Sequence, residues 1–551
     1  MKIDFSKVFY IRACFWLVGL GFGSITAYTG RYFQNNDAVV YIEMGEAIWT
    51  GRWWDAVNFT FSPVYSVLVK LFQYVVSTSP DNEIIMLKML NVLVLMVCMA
   101  CFEFFMASLK HSWQAMKSSQ DNLLDWEYIA LVGYAVFLVS SLVSVRTRLI
   151  NPDMLVMAIC FVCFSTILSI NRGDENYSRF VFLGIAIAIG YLTKAFFFLY
   201  APALIFFAAF SCKSWRRAWK RSAVTLGVAL IISGPLLVGL SIKKGSFSYG
   251  EGGRHVYAIL FGSKGEPTNP GLVLNELPRT VEYEYGNTVT RPLTYDVSYW
   301  SIGIQPELKI DELFKLFLKN LLDVFDQSPW FLLVIIWFIY NIATGSLKIG
   351  PIAPLSPQLA LIGLGILGVA LFALVSMEPR YVAPFMCCFT AGISLSIRSG
   401  AKTGQKGRAQ NVSSWVLTII LLGVLTDSVV DQSQRGLVSI SSKPSYKESY
   451  EENFAVRKFL NEYNIYPPDK VAVIGSPPSH WARMTGLRIT GEILFEDEFM
   501  RADDSVRRRA IDSLRSSGYK AIVGIGNRYD SLKNEGWIRV PDTQNFYAII
   551  L

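Results

Sequence analysis

The chain is 551 residues long; 52% are hydrophobic and only 17% charged, against about a quarter charged in an average soluble domain. The apolar residues run together, as in IIMLKMLNVLVLMVCMACFEFF (84–105), which excludes a purely water-soluble protein. The net charge of +8 does not point to nucleic acid, because positive loops are expected of any inner-type membrane protein.

From the N-terminus, Lys2 and Lys7 precede an apolar run with no small-residue cleavage site after it, which reads as an uncleaved first helix. Candidate spans are 8–27, 84–108, 127–145, 153–170, 178–192, 195–211, 222–242, 329–346, 357–376, 381–397 and 414–431. A further apolar run covers 62–78. The loops KSWRRAWKR (213–221) and RSGAKTGQKGR (398–408) are short and strongly basic, so the positive-inside rule puts both in the cytoplasm. Four spans separate them, as parity requires. Counting back to a cytoplasmic N-terminus leaves no crossing for 62–78, which is expected as an interfacial or re-entrant helix on the outer side. The expected fold is a polytopic α-helical membrane protein of about eleven transmembrane helices over 1–431.

Three polar regions then share the outer face: the loops 28–61 and 243–328, and the tail 445–551. In the tail 30 of 107 residues are charged, near the density of a soluble domain. KVAVIGS (470–476) and KAIVGIG (520–526) read as strands, DDSVRRRAIDSLRSSG (503–518) as a helix, and FYAIIL closes the chain. That order predicts a small α/β domain outside the membrane, periplasmic or extracellular. VAVIGSPP lacks G-x-G-x-x-G, so no dinucleotide site and no organic cofactor are expected. The eight cysteines lie in or beside apolar runs, and the pairs Cys98/Cys101 and Cys160/Cys163 read as packing. Three histidines, far apart, argue against a His-built zinc site.

The outer turns carry charge in a repeated way. Asp37, Tyr41 and Glu43–Met44 precede a helix-like stretch to Trp49, with Asp37 placed as a helix N-cap. Arg146, Arg148 and Asp153 lie in SVRTRLINPDMLV, Lys194 in YLTKAFFF, and Glu378, Arg380 and Tyr381 in MEPRYVAP. An isolated Asp there is an ordinary helix cap, and an isolated Lys or Arg an interfacial anchor. Four charged turns on one face point instead to a site.

These elements, in this order, resemble the superfamily C glycosyltransferases. Asp37 with Tyr41 and the aromatic/Ser62-Pro63 turn is similar to the first external loop of that superfamily. Asp153 in PDM resembles its second external acid, LTK (192–194) its L-T-K-G element, and EPRY (378–381) with Pro384 its E-x-R-Y-x-x-P element. The nearest branch in these features is the bacterial protein O-mannosyltransferases and lipid A aminoarabinose transferases. Asp37 is followed by Ala38 where many relatives have Glu, Ser62-Pro63 stands where the aminoarabinose branch has Lys-Pro-Pro, and LTKA replaces LTKG. These departures bear on donor and acceptor more than on reaction class.

The resemblance implies an inverting transferase of the plasma (inner) membrane. It would move a sugar from a polyprenyl-phosphate donor to a lipid, glycan or protein acceptor. Lys194, Arg380, Arg146 and Arg148, with Glu378 and Tyr381, would hold the phosphate. Asp37 would take the acceptor proton. Asp153 would orient the acceptor or share a divalent cation (Mg, Mn or Ca) with Asp37. Tyr41, Tyr299 and Trp300 would contact acceptor or sugar, although Tyr and Trp also belong to any interfacial belt. Three other readings stay open on the sequence: an oligosaccharyl transferase of the same superfamily, a transporter or channel, and a non-catalytic scaffold that presents its tail. The transporter reading predicts ionisable residues at mid-membrane, and these are scarce here, Glu103 being one exception near a helix end.

Overall fold

The computed structural model describes residues 5–118, 122–253, 256, 263–264, 271–283, 290, 304–305, 309–348, 355–398, 404–437, 445–475 and 480–551. The helices run α1 (Phe5–Thr29), α2 (Asp37–Trp49), α3 (Pro63–Val76), α4 (Glu83–Lys117), α5 (Trp126–Val139) and α6 (Asp153–Asn171). Then come α7 (Tyr177–Thr193), α8 (Phe196–Phe210), α9 (Trp215–Lys244), α10 (Ile310–Gln327), α11 (Pro329–Ala343) and α12 (Pro357–Ala373). The last are α13 (Pro379–Ser396), α14 (Gly404–Leu437), α15 (Tyr446–Glu462), α16 (His480–Thr485), α17 (Glu496–Arg501) and α18 (Asp504–Ser516). Seven strands form one sheet: β1 (Leu272–Asn275), β2 (Thr280–Glu282), β3 (Lys470–Ile474), β4 (Arg488–Ile493), β5 (Tyr519–Ile525), β6 (Ile538–Arg539) and β7 (Phe546–Ile550).

The chain divides into two compact units. The first is Met1–Thr29, Lys88–Tyr257 and Leu308–Gln434; the second is Gly30–Leu87, Ala258–Glu307 and Arg435–Leu551. The sequence predicts a membrane module over 1–431 that includes the loops 28–61 and 243–328. In the structure residues 30–87 and 258–307 group with the tail instead. The reason is pairing across long sequence separations: β1 and β2, from the 243–328 loop, add antiparallel strands to β4, with Thr280 opposite Ile493.

In the first unit, each of the eleven apolar stretches is helical. Among the described residues, six helices are long and apolar enough to cross a membrane: α1, α4, α5 with its continuation to Val145, α6, α9 and α14. A seventh span is counted if α10 and α11, bent by 103°, are taken together. Helices α7, α8 and α12 are apolar but only 15–17 residues long. At 1.5 Å per residue the shortest reaches about 23 Å, less than a hydrocarbon core of about 30 Å. The chain is a multi-pass membrane protein. Helix α10 was hidden in what the sequence presented as a polar loop. Its Ile310, Phe314, Leu318 and Leu322 recur every fourth residue and form an exposed apolar stripe, with the exposed Asp311, Lys315 and Lys319 beside it.

In the second unit the sheet order is β1-β2-β4-β3-β5-β7-β6, with β3 parallel to β4 and β5 and the remaining neighbours antiparallel. After the exposed Lys470, the run VAVI (471–474) is apolar throughout because β3 is covered on both faces. Val471 and Val473 pack with Phe459, Leu460 and Trp481 of α15 and α16; Ala472 and Ile474 pack with Ile511 and Leu514 of α18. The stretch 62–78 is a helix, α3, that buries Tyr65, Ser66 and Val69 and exposes Val67, Leu71, Tyr74 and Val75.

Candidate active site

In the first unit, three of the charged turns meet. Helix α5 ends in a π-helical turn, Ser140–Val145, and Arg146 then takes φ 68°, a value rare for a side chain of this size. That reversal starts the loop to α6, which is held from beneath. The buried Lys88 of α4 donates from Nζ to the Arg148 carbonyl at 2.6 Å. Asn91, one turn on, donates to the Thr147 and Leu149 carbonyls, each at 2.7 Å. Thr147 Oγ1 donates to the Gly23 carbonyl of α1 at 3.0 Å. With three successive carbonyls pinned, the loop delivers Asp153 as the first residue of α6, where Asn151 Oδ1 accepts from its backbone N–H. A carboxylate at a helix N-terminus meets the positive end of the dipole.

Lys194 closes α7 from the other side. It is the C-cap, in extended conformation, where the helix dipole favours a cation. The turn into α8 is tight because residue 190 is glycine; a Cβ there would lie 2.5 Å from the Phe197 ring. Lys194 Nζ donates to Asp153 Oδ1 at 2.6 Å. Arg380 follows Pro379 at the start of α13, with Glu378 as N-cap. Its Nε lies 2.6 Å from Glu378 Oε2 and 3.4 Å from Asp153 Oδ2, as ion pairs whose angles are not those of hydrogen bonds. Its Nη2 donates to the Tyr381 hydroxyl at 3.1 Å. Lys194 Nζ also stands 3.7 Å above the Tyr381 ring, which stacks on Phe372, itself stacked on Phe196.

Burial sorts these groups. The Asp153 side chain is 4% exposed, whereas Lys194 is 25% and Arg380 18% exposed. One sunken carboxylate therefore holds two more accessible cations side by side, a geometry suited to an anion with several oxygens. The same α7–α8 turn borders an apolar cavity of about 510 Å³ between α7, α8 and α9, lined by Tyr191, Phe197, Phe198, Phe206, Trp219 and Leu230 among others.

Arg146 turns its Nε back to the Val143 carbonyl at 2.7 Å, and Arg148 is buried. Asp37 belongs to the second unit. It is the first residue of α2, partly exposed, after Asn36. Tyr41 is buried one turn on, its ring edge-on to Phe61 and Tyr65 in the α2–α3 packing. Tyr299 and Trp300 lie outside the described residues. Lys88 was missed in the sequence; its signal was a lone lysine in an apolar run, which the membrane makes costly unless it has work to do.

Among the described residues, no three His, Cys, Asp or Glu side chains converge as metal ligands. Both oxygens of Asp153 already face cations, so the donor set there does not fit a divalent ion.

Residues 122–238, which contain Asp153 and Lys194, match the family described as dolichyl-phosphate-mannose-protein mannosyltransferase. A comparison with curated protein sequences finds no match. Among solved structures, the chain is similar to ArnT from Cupriavidus metallidurans bound to undecaprenyl phosphate. The two share 12% identity with a TM-score of 0.53, over 98% of this chain and 97% of that one. The apo state of the same enzyme gives 10% identity and a TM-score of 0.53, over 98% of each chain. An oligosaccharyltransferase from Archaeoglobus fulgidus, in complex with Zn and sulfate, gives 12% identity and a TM-score of 0.49 over 97% of this chain and 74% of that one. Over nearly its whole length the chain shares the fold of these ArnT structures, and the match of residues 122–238 agrees with the resemblance to the superfamily C glycosyltransferases.

Proposed function

We propose that the protein is an inverting glycosyltransferase that moves a sugar from a polyprenyl-phosphate donor to an acceptor hydroxyl or amine at the outer face of the plasma membrane. The observation that carries this is the pair of cations, Lys194 and Arg380, held over the buried Asp153. A polyprenyl-phosphate sugar carries one phosphate, which both cations can grip, while the apolar cavity lined by Tyr191 and Phe197 offers space to the isoprenoid.

The acceptor oxygen attacks the anomeric carbon as the bond from that carbon to the phosphate oxygen breaks. The bonding electrons leave with the phosphate, and the two cations meet the new charge where it develops. The acceptor proton goes to the carboxylate of Asp37, the assigned base. Attack from the side opposite the phosphate inverts the anomeric centre. Asp153 holds the two cations in place.

Eleven spans, a cytoplasmic N-terminus and an outer position for the second unit are part of the proposal, supported by the basic loops 213–221 and 398–408. The test is transfer by the purified protein in lipid nanodiscs, using radiolabelled undecaprenyl-phosphate sugars and bacterial envelope extract as acceptor. Label should pass to extract and leave undecaprenyl phosphate behind. A protein that moves intact donor across the bilayer without releasing its sugar would be a transporter, and the proposal would fail.

A further inference from the structure

Buried charge is concentrated a second time, in the second unit, around Arg483 of α16. Its Nε donates to Glu83 Oε1 at 2.7 Å, and its Nη2 to Glu83 Oε2 at 3.1 Å and Glu46 Oε1 at 2.5 Å. Nη1 donates to Glu46 Oε2 at 3.1 Å and lies 3.9 Å from Glu43 Oε1. Gln73 of α3 completes the set by donating to Glu83 Oε2. The planar fork thus grips two carboxylates bidentately, one on α2 and one at the start of α4.

Helix α2 has a second tie to the sheet. Glu43, three residues before Glu46 and so on the same face, accepts the Thr290 backbone N–H at 2.7 Å. The Thr290 carbonyl in turn accepts from the N–H of Ile489 on β4 at 2.9 Å. On the side of α3 the approach is tight at Gly45, where a Cβ would lie 2.5 Å from the Ser66 carbonyl oxygen. Helix α2 is therefore fixed in rotation and along its axis, and its first residue is Asp37. A buried ion cluster is a poor source of stability, since apolar side chains of similar size often serve as well. What a bidentate cluster does supply is direction.

We propose that Arg483 is a positioning residue for turnover: by gripping Glu46 and Glu83 it sets where α2 holds Asp37, which makes the C-terminal part of the chain a working part of the transferase. The inference rests on the assignment of Asp37 as the base.

The experiment uses the full-length protein in nanodiscs, with Arg483→Met, Arg483→Lys and Glu46→Gln beside the wild type. Rates are read with radiolabelled undecaprenyl-phosphate sugars, and hydrogen exchange is read on the amides of 37–49. Arg483→Met should lower kcat about ten- to a hundredfold, the scale of a misplacement near 1 Å, while donor KM changes by less than about twofold because the phosphate cations are untouched. Arg483→Lys and Glu46→Gln should fall between, and exchange in α2 should quicken in the same order. Unchanged kcat in a folded Arg483→Met protein overturns the proposal, as does a loss of activity that only follows the loss of folded protein. A wild type that transfers no sugar strikes the function proposed above, and the exchange rates then still decide whether Arg483 fixes α2.

Discussion

Lys194 Nζ and Asp153 Oδ1 stand 2.6 Å apart, at the C-terminal end of α7 and the N-terminal end of α6. Each charge sits at the helix end whose dipole favours it, and each is closer to the other than an ordinary surface pair. The consequence is a lysine held in place before any anion arrives, with a quarter of its side chain exposed to meet one.

Lys194→Met and Arg380→Met should each weaken use of the lipid donor. A charge-assisted hydrogen bond contributes about 1.5–3 kcal/mol, so donor KM should rise roughly ten- to a hundredfold. Steady-state kinetics with undecaprenyl-phosphate sugars read this directly. Normal donor binding with poor membrane insertion would return both residues to the role of interfacial anchors.

Asp153→Asn has a different signature. It leaves Lys194 and Arg380 side by side without their shared counter-charge, and removing one partner of a buried ion pair costs about 3–5 kcal/mol, less here because both cations retain some solvent. Thermal stability of the empty protein should drop, and added undecaprenyl phosphate should restore part of it, because a phosphate replaces the lost charge. A melting temperature indifferent to the lipid would contradict the assignment.

Asp37→Asn removes a proton acceptor but keeps the shape of the side chain. Turnover per folded molecule should fall by at least about 100-fold with donor KM nearly unchanged. Near-normal turnover would take Asp37 out of the mechanism while leaving the phosphate site intact.

Glu43 gives the pH prediction. Its carboxyl is buried, with Oε2 making no hydrogen bond, and burial pushes its pKa up to about 7 from 4.5 against the opposing pull of Arg483 and the Thr290 amide. The groups that bear on it are Arg483, Thr290 and Glu46; at Glu46 burial is outweighed by Arg483, and its pKa lies below the usual value. The folded state holds the Glu43 proton more tightly than the unfolded one, so this residue's contribution is fully present below about pH 4.5 and is lost as pH rises through about 7. Glu43→Gln keeps an acceptor for Thr290 and cannot ionise. Its stability relative to wild type should therefore grow between those limits and level off above them, as urea or thermal melts across pH 4–8.5 would show. A constant difference would mean that Glu43 titrates normally.

Reporters fused within 398–413 should be cytoplasmic and those fused after residue 437 external. Cysteines introduced near residue 80 should react with an impermeant label from outside. Labelling there only from the cytoplasm would break the parity on which eleven spans depend.

The eleven apolar stretches were legible because the bilayer acts on each helix separately: a run of apolar residues is a local property, and each run proved helical. Asp153, Lys194 and Arg380 were legible too, since charge in a short turn between apolar helices stands out against its background. Their assembly was not, because 41 positions separate Asp153 from Lys194 and nothing in either turn names the other. Arg483 gave no signal at all. In a tail rich in charge it is one arginine among many, and only folding shows that its side chain is buried against Glu46 and Glu83. The same holds for β1 and β2, whose few residues become strands only because β4 offers them an edge. Sequence alone therefore determined where the chain is apolar and which turns carry charge, since those depend on composition within a few residues. Which charges share a partner, and which loops join the sheet, were decided by tertiary structure, because hydrogen bonds and ion pairs form between surfaces that meet only when the whole chain is folded.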